Sequence, residues 1–138
     1  MGYKLAGFDV VGGVEIDPEM MALYRKNLNP PLSLSYLMPI QEFKNRPLSG
    51  SEMALYDLDV LDGSPPCSSF SMAGSREKAW GKKKKFREGQ ALQVRDDLFF
   101  HFIDVARWLR PKVVVAENVK GLIKGNARGY VIYSRDLF

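Results

Sequence analysis

Apolar positions along the chain change period several times, and each change marks an element. Phe8-Asp9-Val10-Val11-Gly12-Gly13-Val14-Glu15-Ile16 is rich in β-branched residues and reads as a strand ending at an acidic residue. Asp17-Pro18 then predicts a helix start, with Asp as N-cap and Pro in the first turn, and the helix runs from Glu19 to Lys26. The Asn- and Pro-containing stretch from Asn27 to Pro31 stops it. Residues 32–54 carry no clear period; Pro39 and Pro47 break them, leaving room for a short helix near Ile40 to Phe43. Leu58-Asp59-Val60-Leu61 reads as a second strand, ended by Gly63-Ser64-Pro65-Pro66. Residues 72–93 are polar, Gly-containing and Lys-rich, which predicts a long loop. Asp96 and Asp97 are placed to cap the next helix, where Leu98, Phe99, Phe102, Val105, Ala106 and Leu109 recur at helical spacing until Pro111. Lys112-Val113-Val114-Val115-Ala116 is nearly all apolar, the pattern of a strand buried on both faces.

Strands alternating with helices, and no internal repeat, predict an α/β fold with a doubly wound, mostly parallel sheet. Ligands of such sheets sit beyond the carboxyl ends of the strands. Three segments are expected there: Glu15-Ile16-Asp17, Ser64-Pro65-Pro66-Cys67 and Glu117-Asn118-Val119.

Composition narrows the setting. The 138 residues are enough for one domain, and 46% hydrophobic with 26% charged residues fits a globular chain. Charges interrupt every candidate membrane span, and the first residues lack the pattern of a signal peptide. The single cysteine excludes an internal disulfide framework, so a reducing, cytoplasmic setting is expected, with no membrane partner. Charge is concentrated in one place. Between Arg76 and Arg87 seven basic residues face one acid, Glu77, so that stretch is +6 in a chain of net +4 and the remainder is −2. Such a run is either a solvated loop or a surface facing phosphates.

Cys67 follows two prolines, which stiffen the turn that carries it. A thiolate nucleophile needs such a fixed position and a lowered pKa, although a lone cysteine is more often a small buried apolar residue. The surrounding strings decide between these. Asp62-Gly63-Ser64-Pro65-Pro66-Cys67-Ser68-Ser69-Phe70-Ser71 resembles the catalytic motif of the cytosine-5 DNA methyltransferases of bacterial and phage type. Glu117-Asn118-Val119-Lys120-Gly121-Leu122 resembles that family's second catalytic motif, and Ala6 to Asp17 is similar to its cofactor-binding strand. The helix from Leu98 and the segment Pro111-Lys112-Val113 also fall in the family's order.

The resemblance implies a reaction. Cys67 would add to C6 of a cytosine, Glu117 would hydrogen-bond the ring as charge builds on it, and Asn118 would orient the loop of Pro66 and Cys67. The methyl donor implied is S-adenosylmethionine, with S-adenosylhomocysteine as product and no metal. Glu15 matches the residue that accepts from the ribose hydroxyls, and Ile16 the residue packing on the adenine. Pro66 and Leu98 match positions at the methionine end. The partner implied is double-stranded DNA with the target base flipped out. Ser71, Lys82, Lys83, Lys84, Lys85 and Arg87 would then face its phosphates.

The sequence departs from the family pattern in three places. The glycine-rich first motif is absent ahead of Phe8, and Tyr36-Leu37-Met38 stands where an acid that binds the adenine amine is expected. Beyond Gly129 the chain begins a helix without the later motifs or the target-recognition domain. Residues 1–138 are therefore expected to be one partial catalytic domain, inactive alone and prone to self-associate through open sheet edges. Two other readings remain open: a related RNA cytosine-5 methyltransferase, and a non-catalytic remnant serving as an interaction module.

Overall fold

The computed structural model of the chain describes residues 2–65 and 97–117, together with the backbone of residues 83, 84, 93 and 94. Two compact units meet at the Leu58–Asp59 bond.

The first unit opens with a single helical turn, α1 (Gly2–Leu5). Its end explains why the strand read from Phe8 does not begin there. Gly7 adopts φ 87°, Gly7 N–H donates to Lys4 O and Phe8 N–H donates to Tyr3 O. These two bonds, with the Tyr3 and Phe8 rings edge-to-face at 5.7 Å, make a Schellman-type stop. The strand itself is only β1 (Gly13–Glu15). It runs parallel to β2 (Ser35–Leu37), pairing Gly13 with Ser35, Val14 with Tyr36 and Glu15 with Leu37. Three residues are too few to alternate visibly, which is why β2 escaped the sequence reading.

Between these strands, α2 (Pro18–Leu28) forms as its cap predicts. Asp17 Oδ1 accepts from the backbone N–H groups of Glu19 (2.9 Å) and Met20 (3.2 Å), and Pro18 leads the first turn. Asn29, in the left-handed region at φ 49°, ends the helix, and its N–H donates to Arg25 O. The helix buries Met21 and reaches β2 through Arg25, whose Nη2 donates to Ser35 O at 2.7 Å. Its Tyr24 ring lies so close to β1 that a Cβ on Gly13 would stand 2.9 Å from Cζ. Gly12 is tighter still, because a Cβ there would meet Leu34 O at 2.4 Å.

After β2 comes the expected short helix, α3 (Ile40–Phe43), and then a 3-10 stretch, Gly50–Asp57. Glu52 ties these together: its Oε1 accepts from Tyr36 Oη at 3.0 Å and pairs with Arg46, whose guanidinium lies 4.7 Å from the Tyr36 ring centroid. Arg46 holds the Glu52 carboxyl below its usual range, and burial raises Tyr36. Met21, Leu34, Tyr36, Phe43 and Leu55 form the core of this unit.

In the second unit β3 (Val60–Gly63) runs parallel to β6 (Val113–Ala116), in register from Val60 opposite Val113 to Gly63 opposite Ala116. Helix α4 (Leu98–Leu109) buries Leu98, Phe99, Phe102, Ile103, Val105, Ala106 and Leu109. A Cβ on Gly63 would stand 2.5 Å from Phe102 Cε2, so the helix packs on the face carrying that glycine. Arg110 in the left-handed region ends α4 just before Pro111.

Three expectations need correction here. Asp97 occupies the cap position but makes no capping hydrogen bond; its Oδ2 instead lies 3.5 Å from His101 Nε2. Strand β6 is not covered on both faces, since Val113 remains 52% and Val115 38% exposed. The stretch read as a loop, residues 72–93, instead holds β4 (Lys83–Lys84), which pairs with β5 (Gln93–Val94) at its end in a two-rung antiparallel ladder.

The chain is thus an α/β protein whose β1–β2 and β3–β6 pairs are both parallel, a partial doubly wound arrangement.

Candidate active site

In the first unit the carboxyl end of β1 turns sharply into α2, and two acids build that turn. Glu15 Oε1 accepts from Asp17 N–H at 2.8 Å, and Asp17 in turn caps α2. Asp17 is buried, while Glu15 and Ile16 are half-buried. The backbone oxygen of Glu15 accepts from Met38 N–H at 3.1 Å, so the chain leaving β2 runs beside the end of β1. A carboxylate offers about four lone-pair sites. One bond to Asp17 therefore leaves Glu15 able to accept from a vicinal diol, which fits the ribose of a nucleoside cofactor.

None of the three residues standing where the resemblance implies an adenine-binding acid offers a free polar side chain. Tyr36 is buried and donates to Glu52, Leu37 is exposed, and Met38 is half-buried with its N–H on Glu15. Sequence reasoning missed a neighbour. Gln41 in α3 has a buried Oε1 with no hydrogen-bond partner, and α3 packs against β1. No sequence signal distinguishes that glutamine from a surface one.

In the second unit Glu117 follows the last residue of β6. Its backbone N–H donates to Gly63 O at 3.0 Å, continuing the β3–β6 ladder by one bond, and its side chain is exposed. The acid thus stands beside the end of the strand that leads through Ser64 and Pro65 toward Cys67. Leu98 is buried as the first residue of α4. Pro66, Cys67, Ser71, Lys82, Lys85, Arg87 and Asn118 lie outside the described residues, and Lys83 and Lys84 are described only as backbone in β4.

The family model for C-5 cytosine-specific DNA methylases matches residues 1–132. The chain belongs to that family. A type II methyltransferase, M.XorII, of Xanthomonas oryzae pv. oryzae is 31% identical over 133 residues, which is 95% of this chain and 28% of that protein. The type II methyltransferase M.HindV of Haemophilus influenzae is 28% identical over 91% of this chain and 35% of its own length. A solved structure described as a DNA modification methyltransferase encoded within a prophage (E. coli) superposes with a TM-score of 0.65 at 25% identity. That match covers 99% of this chain and 33% of the other. The chain therefore spans about a third of the length of these relatives. Among the described residues, no helix is long and apolar enough to cross a membrane.

Proposed function

We propose that this chain is the cofactor- and nucleophile-bearing segment of a cytosine-5 DNA methyltransferase. The observation that supports it most directly is the bond between Glu117 N–H and Gly63 O, which sets the acid next to the strand leading to Cys67. In this reading the Cys67 thiolate forms a bond to C6 of a flipped-out cytosine, and the ring electrons move toward C5 and N3. Glu117, protonated when the base is bound, donates to N3 and offsets the charge that builds there. S-adenosylmethionine, when bound, supplies the electrophilic methyl group that C5 accepts. Transfer of the C5 proton to a water molecule then re-forms the C5–C6 double bond and breaks the C6–S bond, releasing Cys67 as its thiolate. Asn118 positions the Pro66–Cys67 turn.

Glu15 would hold the ribose hydroxyls, Ile16 would pack on the base, and Pro66 and Leu98 would line the methionine end. Ser71, Lys82 to Lys85 and Arg87 would meet duplex DNA phosphates, where each neutralised phosphate adds to salt dependence. Duplex DNA is favoured over transfer RNA because the matching family is one of DNA methylases and the solved structure it resembles is described as a DNA modification methyltransferase. A cytoplasmic setting and no metal requirement complete the reading.

Calorimetric titration of the chain with S-adenosylhomocysteine tests it. Saturable 1:1 binding is expected; absence of binding would overturn the cofactor assignment for this chain.

A further inference from the structure

We infer that Phe102 is a positioning residue for the acid of the site: its ring sets the end of β3 and, through the Gly63 carbonyl, the place of Glu117. The assignment rests on the role proposed for Glu117 above. One hydrogen bond extends the β3–β6 ladder at each end. Val113 N–H donates to Asp59 O at 2.8 Å where the strands begin, and Glu117 N–H donates to Gly63 O at 3.0 Å where they finish. Phe102 meets the ladder at the second of these. The ring is only 4% exposed, and a Cβ on Gly63 would stand 2.5 Å from its Cε2, 2.8 Å from Cδ2 and 3.2 Å from Cζ. One edge of the ring therefore lies directly against the backbone of the residue whose carbonyl holds Glu117. Any larger residue there would keep the ring away, whereas glycine lets it touch the main chain itself. Close-packed interiors compress little, so such a contact transmits displacement.

The same ring belongs to the helix that begins at Leu98, the residue proposed to line the methionine end of the cofactor. Leu98 and Phe102 are four residues apart, so they share one face of α4 a single turn from each other, and both are buried. Phe102 thus fixes the spacing between the start of the helix and the end of the strand. In the proposed reaction that spacing decides where the acid stands relative to the methyl donor. A misplacement of about 1 Å in a reacting geometry can cost about a hundredfold in rate.

Amide exchange of the full chain tests the inference without any ligand. Phe102→Leu should speed exchange of the Glu117 N–H about tenfold relative to the Val113 N–H. Gly63→Ala, which displaces the ring instead of trimming it, should do the same. The double variant Gly63→Ala/Phe102→Leu should return the ratio to its native value, because the added methyl group refills the volume the ring loses. Equal acceleration at the two amides would make the ring a stability element alone and overturn the inference. A ratio unchanged in the single variants, or not restored in the double, overturns it as well. The second readout is chemical. In a protein carrying this segment, Phe102→Leu should slow formation of the adduct with 5-fluorocytosine DNA about tenfold at unchanged DNA affinity, and the double variant should recover the rate. An adduct rate unaffected by Phe102→Leu counts against the role of the ring. A native protein that forms no adduct overturns the reaction proposed for Cys67 and Glu117, a result distinct from the others because amide exchange involves no ligand.

Discussion

Glu15 and Glu117 stand at corresponding places in the two units, each at the carboxyl end of a parallel strand, yet the fold uses them differently. Glu15 is half-buried and its carboxylate is part of the structure, holding the Asp17 N–H that precedes α2. Glu117 is exposed, and among the described residues its one hydrogen bond is the backbone bond to Gly63. A ribose-binding acid benefits from being locked, because a diol needs two acceptors in constant position. An acid that donates to a reacting ring, the role proposed for Glu117, needs a side chain free of structural duty. The contrast predicts that function and stability are coupled at one strand end and separable at the other.

The largest effects are expected on the chemistry proposed for Cys67 and Glu117. Any denaturation-resistant adduct that a protein carrying this segment forms with DNA containing 5-fluorocytosine should vanish entirely in Cys67→Ser; an adduct unchanged by that substitution would remove Cys67 as nucleophile. Glu117→Gln should leave thermal stability within ~0.5 kcal/mol of the native chain, as expected for an exposed side chain that makes no hydrogen bond among the described residues. Glu15→Ala should both weaken S-adenosylhomocysteine binding and destabilise the fold by ~1 kcal/mol, the net worth of one hydrogen bond. Equal stability loss at both acids, followed by chemical denaturation, would break the contrast.

The two units also differ in how their glycines are enclosed. A methyl group on Gly12 would meet the Leu34 backbone oxygen at 2.4 Å, and backbone cannot step aside. On Gly63 it would meet the edge of the Phe102 ring at 2.5 Å, and a ring can rotate. Overpacking of this kind costs ~1–3 kcal/mol. Gly12→Ala should fall at the upper end and Gly63→Ala at the lower, as read from urea midpoints; the reverse order would mean that Phe102 is held more rigidly than the β1–β2 pair.

What could be read from the sequence follows the range of the forces involved. Helix α4 was legible because its apolar positions repeat over three turns, α2 because Asp17 and Pro18 mark its start, and α3 because Pro39 delimits it. The Pro-Pro-Cys and Glu-Asn-Val strings carried the family, since they encode chemistry in consecutive residues. Misreadings came where a distant partner decides. Phe8 looks like a strand residue, but its N–H is taken by Tyr3. The valines of β6 look doubly buried, yet Val113 and Val115 have one uncovered face. The unpaired oxygen of Gln41 depends on what α3 packs against, which no local pattern reports.

The smallest expected effect is also the sharpest test of that distinction. Asp17 and Asp97 look alike in sequence, each directly preceding a predicted helix, yet they differ in backbone. Asp17 has φ −87° and ψ 118°, the extended geometry that turns a side chain back over the first turn, and it accepts two backbone N–H bonds. Asp97 has φ −100° and ψ −5°, already helical, so its carboxylate cannot reach those donors and lies beside His101 instead. Removing a working cap costs ~1 kcal/mol, and up to ~2 where the bonds are sheltered. Asp17→Ala should therefore lower the melting temperature by several degrees, about what ~1 kcal/mol produces in a small domain. Asp97→Ala should barely change it, because the pair with His101 is half-exposed and such pairs contribute little. A comparable loss at both positions would show that Asp97 caps α4 in solution and that the two helices begin in the same way.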